Sequence, residues 1–175
     1  MSAPDSLTAA LCTECGLCCD GSLLAEVELS GEVEAGRMET LDLEVEEGDD
    51  SGRDAWFLPL PCEALCGSKC GIYEHRPRTC RTFECRLLKD ADSGALQLDE
   101  ALNVVAAARS ERDAVLELLN DLDADGSDPR LHLAERVSET VLQLEETGRR
   151  CRKADRLRQR MESLGALLTD RFLGE

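Results

Sequence analysis

The chain has 175 residues, a formal net charge of −17 at pH 7 and an aromatic content of only 3%. This length predicts one domain, or one domain with an appendage. The negative charge argues against nucleic acid and anionic membranes as partners, and no apolar run approaches the roughly 20 residues that a bilayer span needs. The N-terminal residues include Asp5 and no basic segment, so they do not resemble a secretory signal, and we expect a cytoplasmic protein.

The first half of the sequence predicts short segments separated by turns. Residues 2–11 predict a short lead with a helical turn, and residues 46–52 predict a loop in an acidic, turn-rich region. Short extended segments are predicted over residues 23–29, 41–45 and 56–61. The third of these contains Pro59 and Pro61, which exclude a helix there.

The second half has the apolar spacing of amphipathic helices. Helices are predicted over residues 99–122, from Asp128–Pro129 through Leu144, and from Cys151 through Phe172. Antiparallel packing would bury their apolar stripes against one another. We therefore expect a mainly α protein in two parts. Residues 1–90 form a small, irregular cysteine-rich metal-binding domain with few short strands, and residues 91–175 form a helical hairpin or small bundle.

The sequence contains ten cysteines, and nine of them fall in two short runs. Cytoplasmic thiols stay reduced, and this clustering is tighter than disulfide geometry favours, so the runs predict metal binding. Thiolates suit zinc, Cu(I) and iron–sulfur clusters. Cys12, Cys15 and Cys18 have the spacing found in bacterial ferredoxins, although Cys19 then follows at once. Zinc sites need only a Cys-x2-Cys pair from each of two places, so the choice of metal stays open.

The two runs together resemble the CxxCxxCC family of zinc- or iron-chelating domains, over about residues 12–86. The matching residues are Cys12-x2-Cys15-Gly16-x-Cys18-Cys19, then Cys62, then Cys70-x-Ile72-Tyr73-x2-Arg76-Pro77-x2-Cys80-Arg81-x-Phe83-x-Cys85. The resemblance implies a metal ion or cluster held by eight cysteines, namely Cys12, Cys15, Cys18, Cys19, Cys62, Cys70, Cys80 and Cys85. Cys66 and Cys151 lie outside the pattern.

Positive charge is concentrated around the second run. Residues 62–89 contain six Lys or Arg and three Asp or Glu, which is a net +3 in a chain of −17. Arg76, Arg78 and Arg81 would favour deprotonated ligands and, in a cluster, the reduced state. Alternatively, these arginines pair with surface carboxylates.

Three functions are consistent with this sequence. The protein holds an iron–sulfur cluster for electron transfer or redox support, which the ferredoxin-like spacing favours. The second possibility is an interaction module stabilised by zinc, in which metal replaces a large core. The third is a metal-delivery or metal-storage protein. The sequence shows no Ser/His/Asp set, phosphate loop, or flavin or nicotinamide fingerprint, so an enzymatic role stays open. A protein partner is expected at the C-terminal helices.

Overall fold

The computed structural model of this protein describes residues 7–49, 53–122, 128–148 and 152–174. The helices in these residues are α1 (Leu7–Cys15), α2 (Glu32–Glu39), α3 (Arg78–Thr82), α4 (Arg86–Asp92), α5 (Leu98–Leu122), α6 (Leu133–Glu146) and α7 (Arg152–Leu168). The strands are β1 (Glu26–Glu28), β2 (Glu46–Asp49), β3 (Asp54–Pro59), β4 (Leu65–Cys66) and β5 (Lys69–Cys70). A 3₁₀ turn at Tyr73–His75 precedes α3, and a π-helical turn at Thr169–Leu173 follows α7.

The strands form two small antiparallel sheets. In the larger sheet β3 is central, with β1 and β2 on either side, and Val27 pairs with Leu58. Strands β4 and β5 form a separate hairpin in which Leu65 pairs with Cys70. The expected fold class, mainly α with a few short strands and a long helical C-terminal part, is confirmed.

The region between residues 30 and 50 differs from the sequence prediction. The strand predicted over 41–45 is wrong, because these residues turn back on the end of α2: the amide of Leu43 donates to Met38 O (3.2 Å), and Asp42 has a φ of +59°. Strand β2 follows within the stretch predicted as a loop, although residues 50–52 lie outside the described part. Helix α2 was not predicted; it buries Ala35 and Met38.

The helices predicted in the second half of the chain agree with the structure better than the strand predicted over residues 41–45 does. The helix predicted over 99–122 is confirmed as α5, whereas α6 begins at Leu133 rather than at Asp128–Pro129, because Asp128 caps a turn through the amide of Arg130 (2.9 Å). Helix α7 confirms the third pattern, but Cys151 lies outside the described residues, as does the 123–127 part of the interhelical break. Helix α1 is nine residues long and extends into the first cysteine run, further than the predicted helical turn.

None of the described helices is both long and apolar enough to cross a membrane.

Two apolar cores hold these elements together. The larger core joins α1 and the first cysteine run to helices α4–α7, and its members include Leu11, Leu17, Leu87, Val115 and Leu157. The smaller core lies between the three-stranded sheet and α2, with buried residues Val27, Leu29, Ala35, Met38, Leu43, Leu58 and Leu60. The larger core contains residues from both sides of position 90, and the division into domains at that point stays a prediction.

Helix α5 is fastened to the first cysteine run by two arginines. Arg112 Nη1 donates to Asp20 Oδ2 at 2.5 Å, and the two side chains are only 16% and 13% exposed. One turn earlier, Arg109 Nη1 donates to the carbonyl oxygen of Glu14 (2.5 Å). Asp20 also accepts a bond from the amide of Ser22 (2.9 Å). The turn that carries Cys18 and Cys19 is thereby held against the helical part of the molecule.

Replacing Arg112 with Ala should lower the free energy of unfolding by about 2 kcal/mol, because Asp20 would keep a largely buried charge without its partner. The matched control is Arg158→Ala, which removes an ion pair to Glu145 in which both side chains are 41% exposed. That change should cost less than about 1 kcal/mol. Urea denaturation of both variants measures the difference, and equal losses would show that Arg112 does not fasten α5 to the cysteine run.

Candidate metal centre

The first cysteine run is shaped by the end of α1. Cys12 and Cys15 lie one turn apart on this helix and so share a face. Gly16, with a φ of +73°, ends the helix in the left-handed region that glycine adopts at low cost. The amide of Cys19 then donates to Gly16 O at 2.9 Å. This bond forms a tight turn, which brings Cys18 and Cys19 back beside the helix.

The second run docks directly on the first. The amide of Cys62 donates to Cys19 O at 2.8 Å, and Ser68 Oγ in the β4–β5 turn donates to Thr13 O at 2.6 Å. These two bonds cross more than 40 residues of sequence. Cys70 on β5 is consequently held near the C-terminal end of α1.

Cys80 and Cys85 are positioned by α3 and by the start of α4. Helix α3 is anchored where it begins, because the amide of Arg78 donates to Glu34 Oε1 (2.8 Å) and Thr79 Oγ1 donates to Glu28 O (2.6 Å). Cys80 lies on this helix, and Cys85 occupies the position just before α4. Both thiols therefore depend on short helices, and α4 was not predicted from the sequence.

All eight cysteines that the resemblance implicates line one cavity of about 130 Å³. Cys12 is exposed and the other seven are half-buried, whereas Cys66 is exposed and is not part of the lining. Most other lining residues are apolar and come from both cores, for example Leu11 and Leu58. None of the described residues that line the cavity is His, Asp or Glu. The structure thus brings together the eight cysteines that the resemblance implied as ligands.

The donor set suits a soft metal. The nine described cysteines are all free thiols, and sulfur donors with apolar walls fit zinc, Cu(I) or an iron–sulfur cluster rather than calcium or magnesium. Within the described parts of the chain, no three His, Cys, Asp or Glu side chains stand ready as ligands of one ion. The thiols therefore surround a common space without a preformed coordination sphere.

Burial makes these thiols poor acids. Desolvation raises the pKa of Cys15 and of Cys19 to about 12 and that of Cys80 to about 11, each with a further contribution from neighbouring thiols. Burial and the neighbouring thiols also raise the pKa of Cys18 well above its ordinary value. A metal that binds here must displace protons, because thiolates are the ligating form.

Arg76 is the one predicted arginine that lines the cavity. Its guanidinium lies 3.7 Å from the centre of the Tyr73 ring, and its Nε donates to Tyr73 O at 3.0 Å. Burial raises the pKa of both Cys12 and Cys80, and the positive charge of Arg76 partly opposes this rise. Arg78 and Arg81 are exposed and do not line the cavity, although Arg81 Nε donates to Arg76 O at 2.7 Å.

Backbone N–H groups also favour the thiolates, and sequence reasoning missed them. Burial raises the pKa of Cys85, while the amides of Leu88 and Leu87 in the first turn of α4 act in the opposite direction. The amide of Leu17 has the same effect on Cys15, and that of Ala64 on Cys62. Backbone amides near the sulfur atoms are one means by which proteins set the properties of thiolate-bound metals. For Cys85 these contacts depend on where α4 begins, and α4 was not predicted from the sequence.

A cavity lined by sulfur donors from two cysteine runs defines a cysteine-cluster metal-chelating domain. One protein family, CxxCxxCC, described as a putative zinc- or iron-chelating domain, matches residues 11–104. The match covers more than half of the chain, and this protein belongs to that family. No curated protein and no solved structure shows significant similarity to the chain.

Replacing Gly16 with Ala should destabilise the protein by about 2–4 kcal/mol, because a Cβ would add crowding to a left-handed backbone. The new atom would lie 3.1 Å from Ser68 Cα. Gly67→Ala is the matched control, since Gly67 has a φ of +66° but no atom within 4 Å of its Cβ position. It should cost only about 1–2 kcal/mol. Urea denaturation compares the variants, and equal costs would show that close packing at Gly16 is unimportant.

The metal-free, reduced protein should lose stability as the pH rises from about 9 towards 12. Burial raises the folded-state pKa of Cys15, Cys19 and Cys80 above the ordinary 9.0, so the unfolded chain loses these protons first. The folded state then binds more protons than the unfolded state, and the free energy of unfolding falls with pH. Urea denaturation at pH 8 and pH 10 tests this.

The control for the pH experiment is the Cys15→Ser, Cys19→Ser double variant, in which two of the shifted groups no longer titrate. Its stability should fall less steeply over the same interval. A wild-type stability that is constant or rises between pH 8 and pH 10 would contradict the buried, neutral state of these thiols.

Proposed function

We propose that this protein holds an iron–sulfur cluster in the cysteine-lined cavity and serves in electron transfer or in support of a redox step. The observation that carries the proposal is the arrangement of Cys12, Cys15 and Cys18. These three thiols have two-residue spacing and line the same cavity as the remote Cys85. Three closely spaced thiolates completed by a distant fourth are typical of ferredoxin cluster ligation.

The surroundings of the thiols also favour a redox centre. A bound cluster would supply one-electron chemistry, and its potential depends on burial, nearby charge and hydrogen bonds to sulfur. The mostly apolar walls limit contact with water, while Arg76 and the backbone amides of α4 favour negative charge on the ligands. The residues of this chain thus combine low solvent access with a small number of compensating positive groups.

A zinc staple is the second candidate, and the size of the smaller core supports it. That core has seven buried apolar residues, of which Ala35 is small. Cys62 and Cys80 pack against it, so a metal at these thiols would add to the stability that this core supplies. Structural zinc contributes about 10–16 kcal/mol to the folding of small zinc-finger peptides at neutral pH. Metal delivery or storage is the third candidate.

We place the protein in the cytoplasm, where reducing conditions keep thiols available for metal. The net charge of −17 supports the expectation that it does not bind nucleic acid. A protein partner at the C-terminal helices stays a prediction from the sequence.

Anaerobic purification tests the function. The protein should be brown, contain iron and acid-labile sulfide in matched amounts, and lose its visible colour on reduction with dithionite. Cys15→Ser should contain less iron and have a weaker visible colour than the wild type, because it removes a ligand, whereas the control Cys66→Ala should retain both in full, because Cys66 is not part of the cavity lining. A colourless protein with stoichiometric zinc would contradict the iron–sulfur proposal in favour of the staple. A metal that a weak chelator removes without unfolding would indicate delivery or storage.

A further inference from the structure

Four of the cavity cysteines belong with the helical side of the molecule. Cys15, Cys18 and Cys85 all pack against buried residues of the larger core. Cys12 lies one turn before Cys15 on α1 and therefore on the same face of that helix. We name Cys12, Cys15, Cys18 and Cys85 the helical set.

The other four belong with the sheet side. Cys62 and Cys80 pack against the smaller core. The carbonyl oxygen of Cys19 accepts a bond from the amide of Cys62 (2.8 Å), which places the two backbones side by side. Cys70 is connected to the same segment through Leu65. Leu65 pairs with Cys70 in the β4–β5 hairpin, and the amide of Leu65 donates to Cys62 O at 3.0 Å. We name Cys19, Cys62, Cys70 and Cys80 the sheet set.

The electrostatic effects that the cysteines have on one another follow the same division. Apart from burial, the thiols that raise the pKa of Cys19 are Cys80, Cys62 and Cys70, all of the sheet set. Those that raise the pKa of Cys18 are Cys15, Cys85, Cys19 and Cys12. Cys19 is the one member of the sheet set among them, and it is the next residue in the chain. This pattern agrees with the division that the two cores, the strand pairing and the backbone bonds define.

We propose that the eight cysteines form two separate four-thiolate metal sites, one held by the helical set and one by the sheet set. This inference rests on the proposed metal-binding function and divides its ligands. Four thiolates complete the coordination of a tetrahedral zinc ion or of a four-iron cluster, so neither set requires a ligand from elsewhere. The division gives the adjacent residues Cys18 and Cys19 to different metals, because adjacent side chains diverge.

Arg76 lines the cavity that the two sites would share. Its charge favours the thiolate of Cys12 in the helical set and of Cys80 in the sheet set. A four-thiolate site carries net negative charge with either zinc or a cluster, so two such sites in one cavity repel each other. The positive charge of Arg76 in the same cavity would reduce this repulsion.

The metal content of full-length double variants tests the division. Cys12→Ser with Cys15→Ser removes two ligands from the helical set, and Cys62→Ser with Cys80→Ser removes two from the sheet set. Each of these should lose half of the wild-type metal. Cys15→Ser with Cys80→Ser removes the same number of thiols but one from each set, and it should lose nearly all of the metal. Cys66→Ala is the control and should lose none.

Equal metal loss in all three double variants, with native circular dichroism, would overturn the division in favour of one shared site. A second measurement does not depend on how the variants fold. Titration of the reduced, metal-free wild-type chain with Co²⁺ should raise the thiolate-to-cobalt absorption until two equivalents are bound. Saturation at one equivalent would overturn the two-site proposal alone, whereas no uptake of cobalt would overturn metal binding itself.

Discussion

The metal centre depends on a close approach between two cysteine runs that are far apart in the sequence. Gly16 makes this approach feasible, because its left-handed backbone ends α1 and its missing side chain lets Ser68 come near. The Cys62 amide can then reach Cys19 O, and the Ser68 hydroxyl can reach Thr13 O. Backbone groups that would otherwise be buried without partners are thereby satisfied. The cavity exists because these contacts hold its two sides at a fixed separation.

The same arrangement sets a conflict between packing and charge. The cores on either side of the cavity exclude water, which disfavours thiolates and keeps the metal-free site neutral. A metal cation reverses this balance, since it supplies the positive charge that solvent no longer provides. Arg76 and the amides of α4 supply smaller contributions of the same sign. Metal binding at this site would therefore be linked to folding, as in other small cysteine-rich domains.

Some parts of this structure could be predicted from the sequence and others could not. The difference is whether an element depends on residues that are close together in the sequence or far apart. Helix α5 was predictable because its apolar residues recur with helical spacing over 25 residues. The eight cavity cysteines were predictable because the two runs match the motif of the CxxCxxCC family that the sequence resembles. Helix α2 and the turn at Asp42 were not predictable from the sequence. Their conformation depends on contacts of a few residues, such as Met38, with the sheet, and these contacts leave no periodic apolar pattern. The roles of Asp20 and Arg112 depend on a pairing across 92 positions, for which one sequence contains no signal.

The two cores give the two halves of the cavity unequal support. The helical set rests on a core that includes the long helices and is reinforced by the Arg112–Asp20 pair. The sheet set rests on seven buried residues and on strands of six residues or fewer. Buried apolar area sets most of the stability that remains without metal. Loss of metal should thus be felt first around Cys62 and Cys80, while Cys15 and Cys18 stay positioned by Leu11 and Leu17. The helices therefore act as a scaffold for one side of the cavity, and a bound metal would serve as part of the core on the other.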